Sequence, residues 1–313
     1  KKVTQKFQWL KTKKDENPKM EKKGLEKFIK IGYDAELGWV RKPNTSGQEI
    51  GVKGKTKWEI NQMGSRHNPE YENKKSKISC YGDSFTFCRQ VNNDETWEHY
   101  LSKLENTNVT NFGVGNYGID QSFLRLKREF QKNKTEKVIL AIVPDTISRI
   151  MSYWKHYYEY GNTFAFKPKF ILKDKQLHLL KNIINNEKKI YEYEKYLDEL
   201  KKYDYFYLEK FKKEKIKFPY FFHIIKNGKR NLSILYLVSK IEILKKFNKS
   251  TTKIEWSPMK IIMKINLKWR LKLYQNEIAK NIFTKILEEF VKMSKEEKFM
   301  PIFIIIPQKD DII

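Results

Sequence analysis

The sequence predicts an α/β protein built on a parallel sheet, with a large α-helical insertion and a short N-terminal region that contains strands. Three observations predict this fold. Two strand, turn and helix units follow each other between positions 78 and 130. The continuous apolar run 137–143 (KVILAIV) is typical of a central parallel strand buried on both faces. A similar run, 300–307 (MPIFIIIP), suits a fourth or fifth parallel strand.

The chain has 313 residues and a net charge of +26, yet only 8 of its 64 basic residues are Arg. Asp and Glu are interleaved with Lys, which is typical of a solvated surface; an anionic partner such as acidic polysaccharide, nucleic acid or a membrane surface is the alternative. No motif indicates a specific nucleic-acid partner. No apolar run has the length of a membrane span, and the first residues do not resemble a secretion signal. We therefore expect a cytoplasmic protein, with association with the cell envelope as the alternative.

Residues 1–75 are expected to form the N-terminal region. The first 30 residues are dominated by Lys and Glu, with a short helix at 25–31. The stretches GYDAELGWVRKPN and TKWEINQMGSRHN then indicate short strands separated by turns. His67 in the second stretch is expected to be a surface histidine.

The strongest candidate for chemistry is the turn Gly82-Asp83-Ser84. It follows a short strand at 78–81 and precedes an amphipathic segment that ends near Leu104. We expect the Ser84 hydroxyl to face outward at a helix N-terminus, where free N–H groups and the helix dipole stabilise an oxyanion. Asp83 is expected to cap that helix or to brace the loop. The alternative is an ordinary turn without chemistry.

A second strand is predicted at 107–112, followed by the turn 113–118 (GVGNYG) and a helix through Phe130. Two such units in series place both turns side by side at the carboxyl edge of a parallel sheet, where α/β proteins build their sites. The glycine spacing also matches a dinucleotide-binding turn. However, the run before it (TNVTNF) is polar for the first strand of such a fold, and no acidic residue follows at the required distance.

The segments GDSFTFC and NFGVGNYGIDQ resemble the first and second signature blocks of the GDSL/SGNH hydrolase family. The resemblance covers 39–150 and, more faintly, 300–307, about 40% of the chain. It implies a three-layer α/β/α, flavodoxin-like parallel sheet formed by 76–150 and 299–313, incomplete at the C-terminus. The segment before the first block resembles, more loosely, the corresponding segment of family members linked to surface polysaccharides.

The resemblance assigns roles to several residues. Ser84 is implied to be the nucleophile, with its own N–H as one oxyanion donor and the N–H of Gly115 or Asn116 as the second. The family's third donor is an Asn side chain, but this chain has Asp145 at that position. An ionised carboxylate accepts hydrogen bonds and does not donate them. Either burial keeps Asp145 protonated, or the site does something other than ordinary ester hydrolysis.

The family's catalytic base lies in an Asp-x-x-His block near the C-terminus, and this sequence has no such block. We therefore expect the base to lie beyond Ile313. His156 is the alternative base, and a structural histidine is the simpler interpretation of it. Without a base, Ser84 is a weak nucleophile.

Residues 151–298 are expected to form a helical insertion that overhangs the site as a cap. Apolar residues recur in it at helical spacing and are predicted to face a core rather than a cofactor. They include Ile190, Tyr193, Leu197, Leu200, Ile234, Leu237, Val238, Ile241, Ala279, Ile282, Phe283, Ile286, Leu287 and Phe290.

The two cysteines, Cys80 and Cys88, have no metal-binding spacing and are expected to be free buried thiols in a reducing compartment. No metal and no cofactor is expected. The resemblance implies a serine hydrolase or acyltransferase that acts on O-acyl esters of an acylated carbohydrate through an acyl-enzyme on Ser84. The alternative is a catalytically inactive, carbohydrate-binding or scaffold protein of the same fold. The sequence gives no indication of oligomeric state.

Overall fold

A computed structural model describes residues 11–51, 54–159, 162–251, 257–308 and 311–312. The strands in these ranges are β1 (Tyr33–Asp34), β2 (Gly38–Trp39), β3 (Ser46–Gly51), β4 (Gly54–Glu59), β5 (Ser76–Gly82), β6 (Asn108–Asn111), β7 (Lys137–Ile142), β8 (Lys169–Lys173), β9 (Gln176–Leu180) and β10 (Met300–Ile305). The α-helices are α1 (Lys22–Ile31), α2 (Trp97–Glu105), α3 (Ile119–Glu129), α4 (Thr146–Arg149), α5 (Lys155–Tyr158), α6 (Glu187–Tyr191), α7 (Leu197–Tyr203), α8 (Lys212–Glu214), α9 (Tyr220–Lys226), α10 (Gly228–Lys246), α11 (Ser257–Tyr274) and α12 (Glu277–Glu297). Shorter 3₁₀ segments occupy Lys13–Glu16, Asn93–Glu95 and Tyr193–Tyr196, and a π-helical turn occupies Tyr207–Phe211.

The protein is a mixed α/β structure around a four-stranded parallel sheet. The strands lie in the order β6-β5-β7-β10, so β5 and β7 are central. All three pairings are parallel. The four strands predicted at 78–81, 107–112, 137–143 and 300–307 are confirmed. The chain moves from β5 to β6 on one side and then to β7 and β10 on the other, which creates a crevice at the carboxyl ends of β5 and β7.

The two faces of the sheet bury different side chains because successive residues of a strand point to opposite faces. One face packs with α3 and α12 into the main hydrophobic core and includes Tyr81, Val138, Leu140 and Ile142. The other face carries Ile78, Cys80, Val109, Ile139 and Ala141, with Trp97 and Leu101 of α2 packed against them. The sheet is therefore covered by helices on both sides.

The N-terminal region has the predicted helix and short strands. The side chain of Glu21 caps α1 by accepting hydrogen bonds from the N–H groups of Lys23 and Gly24. Two antiparallel hairpins follow, β1 with β2 and β3 with β4. Gly47 lies directly beneath the Trp58 ring, where a Cβ would come within 2.3 Å of the indole. The second hairpin therefore fixes the position of that tryptophan.

The region 151–298 was predicted to be helical, but it also contains the antiparallel hairpin β8–β9. Asp174 and Lys175 at its tip both have positive φ, 49° and 63°. This conformation matches the twist of a two-residue hairpin turn, and a search for helical periodicity does not detect it. The last helix of this region, α12, packs against α3 and β10 of the sheet.

Most of the apolar residues predicted to face a core do so, but Leu237 is only half-buried and joins none of the hydrophobic clusters of the described residues. Ile190, Leu200, Ile234, Ile282 and Ile286 are buried. One hydrophobic cluster joins residues of the N-terminal region, the sheet and the insertion, among them Leu25, Leu37, Leu140, Trp154 and Phe290. Within the described residues, no helix combines the length and apolar character needed to cross a membrane.

Candidate active site

The turns after β5 and β6 lie side by side at the carboxyl edge of the sheet, as predicted. The parallel ladder continues past the strands, because the N–H of Phe112 donates to Cys80 O (2.8 Å) and that of Val114 donates to Gly82 O (3.0 Å). The next residues of the two loops are Asp83-Ser84 and Gly115-Asn116. Ser84 is half-buried, and its hydroxyl makes no hydrogen bond within the described residues.

The expected helix N-terminus at Ser84 is wrong, since α2 begins only at Trp97. Residues 83–91 instead form a compact turn in which the N–H of Phe87 donates to Asp83 O and that of Arg89 donates to Ser84 O. Cys88 has a φ of 54°, in the left-handed region, which stops a helix from continuing. A helix dipole therefore does not act on Ser84.

Asp83 braces the loop and does not cap a helix. It is completely buried. Its carboxylate accepts hydrogen bonds from the N–H of Phe85 (2.8 Å) and from the N–H of Val143 (3.0 Å), the residue after β7. Arg149 Nη1 is its ion-pair partner at 3.2 Å. Asp83 thus connects the Ser84 turn to the end of the neighbouring central strand.

Arg66 supports the same turn, a role that was not predicted from the sequence. Its guanidinium donates to the carbonyl oxygens of Cys88 (2.8 Å) and Val91 (2.6 Å), and also to that of Phe87. It is buried. Its backbone N–H donates to Asn111 O (2.8 Å) at the end of β6. One arginine thereby fixes the far side of the turn, a contact that only the tertiary structure reveals.

Asn111 and Gly113 hold the two loops together. The Asn111 side chain donates to Thr86 O (2.7 Å) and accepts from the N–H of Gly113 (2.9 Å). A Cβ on Gly113 would lie 2.4 Å from the backbone N of Phe87. Only glycine allows this approach, so Gly113 sets the separation of the loops.

Gly115 and Asn116 lie at the open end of the second loop. Nothing lies within 4 Å of the point where a Cβ on Gly115 would be, and Asn116 is exposed with a φ of 69°. Trp39 Nε1 donates to Gly115 O at 2.9 Å and fixes the loop. The N–H groups of Ser84, Gly115 and Asn116 have no acceptor within the described part of the chain. Such groups bond water or a ligand.

Asp145 accepts hydrogen bonds through both of its oxygens. Arg149 Nε donates to Oδ2 (3.0 Å) and the Tyr158 hydroxyl donates to Oδ1 (2.7 Å). Both oxygens of the Asp145 side chain are therefore already engaged by Arg149 and Tyr158. Arg149 also donates to Tyr117 O (2.8 Å). Burial lowers the pKa of Arg149, but the carboxylates of Asp145 and Asp83 outweigh burial and hold it above its usual value.

His156 lies in an aromatic cluster and not beside Ser84. Its ring packs against Trp154 and Phe211, with centroids 4.7 Å and 5.7 Å away. Its Nε2 lies 2.6 Å from the carbonyl oxygen of Asp15. Burial lowers the pKa of His156 to about 4. The structure does not bring this histidine together with the Ser84 hydroxyl.

The low pKa of His156 predicts acid sensitivity. Between pH 6.5, its ordinary pKa, and about 4, the unfolded chain takes up a proton that the folded protein excludes, so stability falls as the pH falls. We expect His156→Gln to lose less stability than the wild type across this window, measured by urea unfolding at a series of pH values. Parallel curves for the two proteins would contradict the assignment.

A cavity of about 510 Å³ opens beside the second loop. Its wall includes the loop residues Val114, Gly115 and Asn116, the aromatic side chains Phe28, Trp39, Trp58 and Phe164, and the charged side chains Lys27, Arg41, Glu49, Arg89 and Lys155. Ser84 is not part of this wall. Arg41 stacks on the rings of Trp58 and Phe87, 4.0 Å from each centroid. We call this cavity the aromatic cleft.

Both cysteines are free thiols, as predicted. Burial raises the pKa of Cys80 and of Cys88, which keeps both protonated and unreactive. Cys88 is partly exposed rather than buried. Within the described residues, no three His, Cys, Asp or Glu side chains are placed to hold a metal ion.

The position of the glycine turn in the sheet does not favour dinucleotide binding. The dinucleotide fingerprint follows a strand at the topological switch point of the sheet. Here the turn 113–118 follows β6, which is an edge strand. The switch point lies instead beside β5, the strand that leads to Ser84.

No protein-family model matches this chain. No curated protein matches it with significant sequence similarity.

Proposed function

We propose that this protein is a GDSL/SGNH-type serine hydrolase or acyltransferase that acts on O-acyl esters of a sugar or surface polysaccharide. Numbered by their order along the chain, the four parallel strands lie in the order 2-1-3-4. Flavodoxin-like, three-layer sheets have this order. The nucleophile in this proposal, Ser84, follows the first of these strands at the switch point.

The observation that carries the proposal is the set of unpartnered groups at this edge. The Ser84 hydroxyl and the N–H groups of Ser84, Gly115 and Asn116 lack partners within the described residues. In the proposed reaction, Ser84 Oγ loses its proton to a base and attacks the acyl carbonyl. The N–H groups stabilise the resulting oxyanion. The tetrahedral intermediate then collapses: the sugar leaves as an alcohol after taking up a proton, and the acyl group stays on Ser84. Water or another hydroxyl group finally accepts the acyl group from Ser84.

Asp145 fits this proposal because Arg149 offsets part of its charge. An unpaired charge about 4 Å from the oxyanion would repel it by roughly 4 kcal/mol at an effective dielectric of 20. The ion pair with Arg149 at 3.0 Å offsets part of that repulsion, since the same guanidinium also pairs with Asp83 at 3.2 Å. The third donor is still lacking, at a cost of about 10²–10³ in rate. We propose that the base lies outside the described residues.

The aromatic cleft supports a carbohydrate substrate. Binding sites are concave, largely apolar and supplied with a few polar groups, and this cleft adjoins the proposed oxyanion donors Gly115 and Asn116. The indole of Trp39 forms part of its wall. The polar groups of the wall include Arg41, which pairs with Glu49 at 3.7 Å, and the buried Lys155, which pairs with Glu159 at 3.1 Å.

The test is acetate release from an O-acetylated oligosaccharide. We expect Ser84→Ala to lower the rate to that of the uncatalysed reaction, because no acyl-enzyme can form, with the melting temperature unchanged. Ser46→Ala, an exposed serine at the start of β3, is the matched control and should keep the wild-type rate. Equal rates for the two variants would refute Ser84 as the nucleophile.

A non-catalytic carbohydrate-binding protein is the second candidate. Two observations favour it: both oxygens of Asp145 act as acceptors, and the Ser84 hydroxyl has no base bonded to it within the described residues. In that case the saccharide binds without turnover, and Trp39→Ala weakens binding in calorimetry.

Asp145→Asn separates the two candidates. The amide keeps one acceptor and loses the ion pair with Arg149, so we expect the free energy of unfolding to fall by about 1–3 kcal/mol in either case. For an enzyme, acetate release should also change, because the charge beside the oxyanion donors has been altered. A binding protein releases no acetate in either form.

A further inference from the structure

The segment around α9 exposes consecutive large apolar side chains. Phe218, Tyr220, Phe221, Phe222 and Ile225 are between 53% and 82% exposed. The rings of Phe221 and Phe222 lie 6.0 Å apart. Single exposed apolar residues are common, but a contiguous group of this kind marks an interaction surface.

The next helix, α10, continues this surface. Leu232, Tyr236, Ile243 and Phe247 are between 55% and 69% exposed. Their spacings of four, seven and four residues place them on one face of the helix. The opposite face carries the buried residues Ile234, Val238 and Ile241. Helix α10 is therefore apolar on its solvent side as well as on its core side.

The two helices are joined and strongly basic. Asn231 in the first turn of α10 donates to the carbonyl oxygens of His223 and Ile224 in α9 (3.3 and 3.4 Å). Residues 215–250 contain eight Lys and one Arg but a single acidic residue, Glu242. The lysines that are exposed include Lys217, Lys226, Lys229, Lys240 and Lys246.

We propose that the surface formed by residues 218–225 and the exposed face of α10 binds an anionic lipid bilayer. Lysines together with aromatic and aliphatic side chains are the composition of helices that lie in the membrane interface. In that position the rings enter the boundary between headgroups and acyl chains, while the ammonium groups contact the anionic headgroups. This proposal does not depend on the function of Ser84.

The charge and the apolar character of this surface favour a bilayer over a second copy of the chain and over nucleic acid. A second copy of the chain would bring two surfaces of the same positive sign together, which is repulsive. Nucleic acid would pair with the lysines but would leave Ile225, Leu232 and Ile243 without an apolar partner. A bilayer supplies both a negative surface and an apolar layer.

The experiment is co-sedimentation of the full chain with vesicles of phosphatidylcholine alone or mixed with phosphatidylglycerol. We expect binding to the mixed vesicles that weakens as salt is added. The double variant Phe221→Ser/Phe222→Ser should bind at least about tenfold more weakly, because two apolar side chains no longer enter the bilayer. Leu104→Ser, which removes an 84% exposed side chain from α2, is the matched control and should bind like the wild type.

Lys226→Glu/Lys229→Glu should abolish the preference for the mixed vesicles. The proposal is overturned if the chain fails to bind mixed vesicles, or if Phe221→Ser/Phe222→Ser binds as well as Leu104→Ser. It is also overturned if the phenylalanine variant instead abolishes a concentration-dependent dimer, or binding to duplex DNA, with no effect on vesicles. Circular dichroism of each variant establishes that it is folded, and Ser84→Ala should bind vesicles like the wild type.

Discussion

Arg149→Met is expected to lower the free energy of unfolding by about 3–5 kcal/mol, the cost of removing one partner from a buried ion pair. Asp83 is completely buried, and Arg149 is its ion-pair partner at 3.2 Å. The same guanidinium pairs with Asp145 at 3.0 Å. Methionine retains the side-chain volume but leaves the Asp83 carboxylate without a counter-ion. Urea unfolding at neutral pH measures the loss.

Arg89→Met is the matched control for this prediction. Arg89 pairs with Glu49 at 3.5 Å, but its side chain is half exposed. A solvent-exposed pair contributes about 0–1 kcal/mol, so this variant should unfold nearly like the wild type. Similar losses for the two variants would show that the buried pair does not support the turn in the way we describe.

Gly113→Ala is expected to lower the free energy of unfolding by about 3 kcal/mol, the upper part of the usual range for overpacking. The added Cβ would lie 2.4 Å from the backbone N of Phe87 and 2.7 Å from the backbone carbon of Thr86. Backbone atoms in a braced turn have little room to move. The two loops must therefore separate. Because the proposed nucleophile and oxyanion donors lie on these loops, acetate release should also fall.

Gly115→Ala, two residues along the same loop, is the control for Gly113→Ala. Nothing lies within 4 Å of the position of its Cβ, so its stability should stay within about 0.5 kcal/mol of the wild type. Its backbone N–H is retained, so a proposed oxyanion donor remains. If Gly115→Ala is as damaging as Gly113→Ala, close approach of the loops is not the reason for glycine at 113.

The sequence predicted β7 and β10 because parallel strands buried on both faces appear as continuous apolar runs. It also predicted that the two turns lie together, since successive strand and helix units bring carboxyl ends to one edge. Both predictions depend on local patterns. The predicted start of the helix at Ser84 was wrong because the amphipathic pattern runs across the 83–91 turn. Cys88, whose φ is in the left-handed region, closes that turn.

The contacts that hold the site together were not predictable from the sequence. Arg149 reaches Asp83 from 66 positions away, and Arg66 reaches the carbonyls of the turn from more than 20 positions away. Contacts between residues so far apart produce no periodicity or spacing in the sequence that could predict them. The partner of Asp145 is closer along the chain, an arginine one helical turn later.

The proposed function requires the Ser84 hydroxyl to act as a nucleophile beside the amides of the 113–118 loop. Labelling with a fluorophosphonate, followed by mass spectrometry of the digested protein, measures this reactivity. We predict an adduct on Ser84 that is absent from Ser84→Ala and strongly reduced in Gly113→Ala. Wild-type protein that remains unlabelled, or labelling that is equal when Ser84 is replaced, would contradict this role of Ser84.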